Sequence, residues 1–267
     1  MCQENSSSQG LIGKNGGDLK DMATRPVFFV DGGHGVIPKT KEIQIDFDWH
    51  PGFSIAQKQR SIRSLHSRIL ATTTLQNPLE ISSKSPLVLG VDLSAFNLQL
   101  RIRSSLPIKA SVETVYQGSK QFNGAPRCDS DRYYLEPRDA RKRARDFEDT
   151  AKLSGWTMGD FFFDLSSGTE FYTWLYLGAL FQHQALLEQL VQYDCFTDIE
   201  FNPKKSLACQ ARSAALARAV FLNEGSLLPY LKRVAKSRLT PEAVSRNLEG
   251  SNEDQVEHIK SQLELDI

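Results

Sequence analysis

An excess of either charge is missing from this sequence. Its 267 residues carry 32 Lys and Arg against 32 Asp and Glu, a formal net charge of zero. A protein that coats nucleic acid without selectivity relies on a positive overall field, so that class is excluded and only a local basic patch stays open. Cysteine is scarce: Cys2, Cys128, Cys195 and Cys209 form no C-x-x-C pair, and no histidine stands at a ligand spacing from them. That excludes the usual zinc frameworks, leaves no cofactor or metal to expect, and suits thiols kept reduced in cytoplasm. No apolar run approaches the roughly eighteen residues of a membrane span, and the start does not read as a signal peptide. A soluble, cytoplasmic protein is the expectation, with no membrane partner.

What is present falls into three parts. Residues 1–21 are rich in Ser, Asn and Gly and are expected to be disordered, with Met22 open as an alternative start. Residues 22–235 read as a single domain and 236–267 as a helical appendage. Pro26 to Val30 and Glu42 to Trp49 read as two strands of a hairpin around Asp31-Gly32-Gly33-His34-Gly35. A helix follows from about Ser54 to Thr72, with Ile62, Leu65 and Ile69 on its apolar face and Lys58, Arg60, Arg63 and Arg68 on the other. Those cations are either a solvated face or a contact for phosphates. Leu79 to Ser85 alternates as a strand, with Lys84 just past its end, and Leu93 to Leu98 reads as extended. Residues 138–153 form a basic helix carrying Arg138, Arg141, Lys142, Arg143 and Arg145, again solvated or suited to a polyanion. From Thr169 to Tyr193 the chain is apolar on nearly every helical face, which marks the central core helix. A polar loop or short strand spans Phe196 to Ser206, and an Ala/Ser-rich helix from Leu207 to Leu222 ends at Gly225.

The chemistry gathers on residues 111–123, read as a helix with Ser111 as N-cap and Glu113 in its first turn. Glu113, Tyr116, Gln117 and Lys120 then share one stripe. A carboxylate, a phenol, an amide and an amine on one face are either a solvated ion-pairing surface or a site.

In order along the chain, Lys84 at the end of an extended segment, Leu93-Ser94-Ala95-Phe96-Asn97-Leu98, and Ser111-Val112-Glu113 through Tyr116-Gln117-Gly118-Ser119-Lys120 resemble the NADAR domain. Ala95 stands where that family commonly has asparagine, with Asn97 two places on. Trp49-His50-Pro51-Gly52-Phe53-Ser54, Gln57-Lys58-Gln59, Leu79 to Ser85 and Phe201-Asn202-Pro203-Lys204-Lys205-Ser206 are similar to the antitoxins paired with DarT-type toxins. The resemblance covers roughly residues 24–225. It implies an α+β fold, a mainly helical NADAR core with a small N-terminal β-hairpin or sheet. It also implies a glycosidase that removes ADP-ribose from guanine in DNA, with modified DNA, the product ADP-ribose and a cognate toxin as partners.

Cutting a ribosyl–nitrogen bond needs a proton for the leaving amine, help for a cation-like carbon and a clamp for two phosphates. Glu113 suits the proton donor. Lys84 or Lys120 suits an electrostatic group or, if desolvated, an amine nucleophile toward the opened sugar, and Lys84 is preferred because a strand end fixes it. Lys204, Lys205 and Arg212 suit the pyrophosphate. Phe96, Tyr116 or Trp174 suit stacking on a base, although Trp174 also reads as core. Asn97, Gln117 and Asp198 complete the expected substrate-binding set. Two other readings stay open: an N-glycosidase for a free ribosylated metabolite, and a non-catalytic antitoxin that holds its toxin through a helix at 252–265.

Overall fold

The computed structural model describes residues 21–30, 40–102, 108–124, 130–203, 206 and 208–240. Strands β1 (Met22–Val30) and β2 (Thr40–Asp48) pair antiparallel, from Met22 opposite Asp48 to Val30 opposite Thr40. The expected hairpin is there, and its turn at Asp31–Gly35 lies outside the described residues. Helix α1 (Ile55–Thr72) begins at a capping box: Ser54 accepts from the Gln57 amide while Gln57 reaches back to the Ser54 amide. Its buried residues Ser61, Ile62, Leu65 and Ile69 recur at helical spacing. Ile62, Leu65 and Ile69 pack with Val27, Ile45, Phe47, Cys195 and Ile199 into a small core beside the hairpin.

Strand β3 (Pro78–Glu80) is shorter than the alternating run 79–85 suggests. The Ser82 hydroxyl accepts from the Lys84 amide and the Ser82 carbonyl from the Ser85 amide, so the chain turns there instead of continuing. Residues 93–98 are not extended either. They follow the short helix α2 (Val88–Asp92), and the Ser94 carbonyl accepts from both Asn97 and Leu98, closing a turn. Strands β4 (Gln99–Ile102) and β5 (Ile108–Ser111) pair antiparallel and lead into helix α3 (Val112–Gly118).

Helix α3 ends well before residue 123. At Gly118 a side chain would press on the Tyr133 ring at 3.0 Å, and by Lys120 the chain is already in strand β6 (Lys120–Phe122). This strand joins β7 (Leu153–Met158) and β8 (Phe161–Asp164) in a three-stranded sheet. Between β6 and β7 runs the basic helix α4 (Pro137–Glu148), shorter than the expected 138–153 and started by a proline in its first turn.

The long apolar segment forms two helices, α5 (Gly168–Phe181) and α6 (Gln184–Leu190), rather than one. The break has a clear cause. Gln182 gives its side-chain amide to both the N–H and the C=O of Arg101, and His183 reaches the Gln99 carbonyl, so these two residues complete the edge of β4. The first helix starts at Gly168, one residue before Thr169, and the missing Cβ of Gly168 admits Trp156. Phe171 through Leu180 are all buried, which confirms α5 as the centre of the main core.

Strand β9 (Cys195–Thr197) lies between β1, antiparallel, and β3, parallel, giving the sheet order β2-β1-β9-β3. Helix α7 (Gln210–Glu224) starts later than expected, buries an alanine face, and closes on Gly225 at φ +70°. Helix α8 (Leu228–Lys236) completes an α+β fold with several small sheets.

Candidate active site

Glu113 is positioned by backbone before its side chain does anything. The Ser111 hydroxyl caps α3 by accepting from the Thr114 amide at 3.1 Å. Val112 and Glu113, whose amides have no partner inside the helix, donate to the carbonyls of Leu98 and Ala95, each at 2.9 Å. The 94–98 turn is thereby locked to the start of α3. Glu113 is 4 % exposed, and one oxygen collects every donor found among the described residues. Oε1 accepts from Gln117 Nε2 at 2.9 Å and from the Nε and Nη2 of Arg141 at 2.8 Å each. Oε2 accepts from none of the described residues. The Arg141 guanidinium also lies 4.8 Å above the Phe96 ring.

Glu113, Gln117 and Phe96 are therefore brought together. Arg141 joins them instead of standing free on a polyanion surface. Its place in a dense run of arginines hid this role, since nothing local separates the one that pairs with Glu113.

Tyr116 is packed as a wall. It stacks on Trp156 at 5.6 Å and meets the edge of Tyr172 at 5.1 Å, and burial followed by the nearby Glu113 charge pushes its hydroxyl pKa up. Lys120, displaced from α3 into β6, pairs with Glu148 at 2.6 Å. The stripe expected on one helix face is thus cut after Gln117.

A second rim arises from β3 and β9. Parallel neighbours release their following loops at the same sheet edge, here residues 81–85 and 198–203. Beneath them lies Glu80, 1 % exposed, which accepts from Thr197 Oγ1 at 2.6 Å and the Ile199 amide at 2.9 Å. His66 Nε2 meets the same Thr197 oxygen at 2.9 Å. Because that hydroxyl donates to Glu80, the His66 nitrogen is the donor to it, and burial lowers the His66 pKa to about 4.

Asp198 is buried too. It accepts from the amides of Glu200 and Phe201 and from Gln210 Nε2, at 3.0, 3.1 and 3.0 Å. Burial first, and the neighbouring Glu80 charge second, push its pKa up to about 8. The other end of Gln210 accepts from the Ala95 amide at 2.8 Å. A continuous path of hydrogen bonds thus runs from the Asp198 loop through Gln210 and Ala95 to Glu113. Gln210 carries no signal of this in the sequence, where it is one polar residue at a helix start.

Lys84 sits half-buried on the 81–85 loop, and its ammonium makes no hydrogen bond or ion pair with the described residues. The Asn97 side chain donates to the Val91 carbonyl at 2.9 Å and so holds the turn. Arg212 pairs with Glu42 at 2.8 Å and covers the Phe28 ring, away from the Glu113 cluster's contacts. Trp174 is wholly buried, with its indole N–H on the Leu231 carbonyl. Lys204 and Lys205 lie outside the described residues. The Ser94 hydroxyl and the Gln117 amide oxygen are buried without a partner among the described residues, so both retain hydrogen-bonding capacity near Glu113. Among the described residues no group of three or more His, Cys, Asp or Glu could hold a metal ion, and no helix is long and apolar enough to cross a membrane.

The site thus gathers a buried glutamate on a short capped helix, an adjoining Ser-Ala-Phe-Asn turn and a half-buried lysine on a strand-end loop. The family model for the DarT1-associated NADAR antitoxins matches residues 23–238, and the chain belongs to that family. The family's name implies association with a DarT1 toxin, and membership implies ADP-ribosyl glycohydrolase activity. No curated protein matches the chain.

Proposed function

We propose that this protein hydrolyses the bond between ADP-ribose and the exocyclic amine of guanine in DNA, reversing the modification made by its toxin. The observation that carries the reading is the Glu113 carboxylate: buried, with one oxygen committed to Gln117 and Arg141 and the other left for a substrate. Fixing one oxygen orients the other without using it, which is what an acid that must meet a leaving nitrogen requires.

In the reaction the Glu113 carboxylate takes a proton from the attacking water and passes it to the guanine amine, the C1′–N bond breaks, and the water's oxygen becomes the hydroxyl of ADP-ribose. Lys84 serves either as a charge beside the sugar phosphates or as an amine. In the second case the opened ribosyl iminium passes from guanine to the Lys84 nitrogen, guanine leaves with its amine restored, and water then frees the lysine. The exposed Arg138, Lys142, Arg143 and Arg145 of α4 support a polyanionic substrate over a free metabolite, which needs no extended cationic surface.

Purified protein is expected to release ADP-ribose from guanine-modified oligonucleotide without added metal. Glu113→Gln should lower the rate by about 10²–10⁴-fold, the usual contribution of a positioned acid. Toxin protection retained in a Glu113→Gln, Lys84→Ala double variant would instead favour an antitoxin that acts by binding alone.

A further inference from the structure

Phe53 is 99 % exposed, the most exposed of the large apolar side chains described, and it is not on a loose loop. Gly52 before it takes φ +134°, and the Gln57 side chain occupies the place a Cβ would need, with its Oε1 2.0 Å from that position. Ser54 after it is the N-cap of α1, tied to Gln57 in both directions. The approach to the turn is pinned as well, since the His50 and Asp48 amides donate to Ser61 and Ser64 at 3.0 and 3.1 Å. A benzyl group held outward by a capped, glycine-dependent turn exposes an aromatic face that the fold itself does not use.

The surroundings define what that face meets. Lys58 bonds Glu200 at 3.1 Å and Gln59 reaches the Ser85 carbonyl at 3.5 Å, so the first turns of α1 are joined to both loops of the candidate site. From Trp49 to Leu79 the sequence has no Asp or Glu, while Lys58, Arg60, Arg63 and Arg68 all fall in that span. The positive end of the 18-residue helix dipole points the same way. Ile55 on α1, and Leu87 and Val88 just after the Lys84 loop, are exposed as well, at 56, 44 and 76 %. An aromatic face amid cations, beside a site, fits a nucleic acid strand: bases stack on the ring and phosphates meet the arginines.

We propose that Phe53 is a stacking platform for a nucleobase next to the modified guanine, holding the strand while that guanine occupies the site. This rests on the DNA substrate proposed above.

The test compares Phe53→Ala, Phe53→Leu and Phe53→Trp on a guanine-modified oligonucleotide and on ADP-ribosyl-guanosine. Alanine and leucine should raise KM on the oligonucleotide by about tenfold or more, as loss of one base stack does, while tryptophan keeps it low and the nucleoside is turned over unchanged by all three. A second readout needs no turnover. In a Glu113→Gln background, 5-iodouracil placed beside the target guanine should photo-cross-link to the peptide carrying Phe53. Absence of that cross-link from a bound complex overturns the proposal, whether or not the protein is a hydrolase. Equal losses on both substrates would make Phe53 a support of the fold. Unchanged DNA kinetics with weakened toxin binding would make it a protein contact. Each of these results also overturns the proposal.

Discussion

The substitution Gly90→Ala tests how the fold holds its candidate reactive loop. Gly90 is buried in α2, and a Cβ there would lie 2.0 Å from the Glu80 carbonyl oxygen and 2.3 Å from Ser85 Oγ. Ordinary contact begins near 3.4 Å. The first obstacle is backbone and cannot rotate away, so α2 and the 80–85 loop have to part by about 1.4 Å, an overpacking that costs about 3 kcal/mol. For a domain of this size that lowers Tm by roughly 6–12 °C. Lys84 lies within the displaced loop, and an error of about 1 Å in a positioned group costs on the order of 10²-fold in rate. Thermal unfolding followed by circular dichroism reads the first effect, and single-turnover release of ADP-ribose reads the second. A variant melting within about 2 °C of wild type would show that the packing argument is wrong. A large drop in Tm with undiminished turnover at low temperature would show that the loop's position does not matter to the chemistry.

Three further outcomes are expected. Burial raises the pKa of Glu80, with the Glu200 charge adding to it, and burial with the Glu80 charge raises that of Asp198 to about 8, so the folded state holds protons that the unfolded chain releases above its ordinary carboxylate pKa of about 4. Stability should therefore fall as pH rises from about 4 to 8, with a shallower slope in Asp198→Asn by calorimetry, and a wild-type slope equal to the variant's would refute it. Reversing the charges of Arg138, Lys142 and Arg145, while leaving Arg141 on Glu113, should reduce the salt dependence of DNA binding by about 0.7–0.9 log units per lost phosphate contact, and an unchanged slope would mean that α4 does not face DNA. Borohydride added during turnover should trap label on the peptide carrying Lys84; label on Lys120 would reassign the amine, and no adduct with active Lys84→Arg would leave Lys84 as a charge.

The elements legible in the sequence are those whose signals are local. The N-terminal hairpin follows from period-two alternation, and α1 from a capping box with a 3.6-residue apolar repeat. The ends of α3 and α5 were not legible because tertiary partners set them. Gly118 yields its space to Tyr133, a residue fifteen positions away, and Gln182 leaves the helical pattern to bond the backbone of Arg101. No window of local sequence contains both members of either pair. The same limit explains the strand assigned to 79–85: its alternation is real, yet Ser82 turns the chain once β3 has paired with β9.

The candidate site divides along the same line. Glu113 and Gln117 stand four apart on α3, a spacing that sequence can supply, and they do meet. Lys120 stands seven from Glu113, and one turn of lost helix is enough to send it to Glu148. Arg141 shows the harder case, for a guanidinium in a run of cations looks like all its neighbours until the fold brings a buried carboxylate to it. Once that pair forms, α4 has two separate duties. Arg141 belongs to Glu113 and Phe96, whereas Arg138, Lys142 and Arg145 are exposed and take no part in that cluster. Removing Arg141 would leave Glu113 buried with only the Gln117 amide on its committed oxygen, a loss that reaches the carboxylate itself. Removing an exposed neighbour subtracts one surface charge. Substitutions one turn apart on a single helix therefore act on different steps, the first on the chemistry and the second on the hold on DNA.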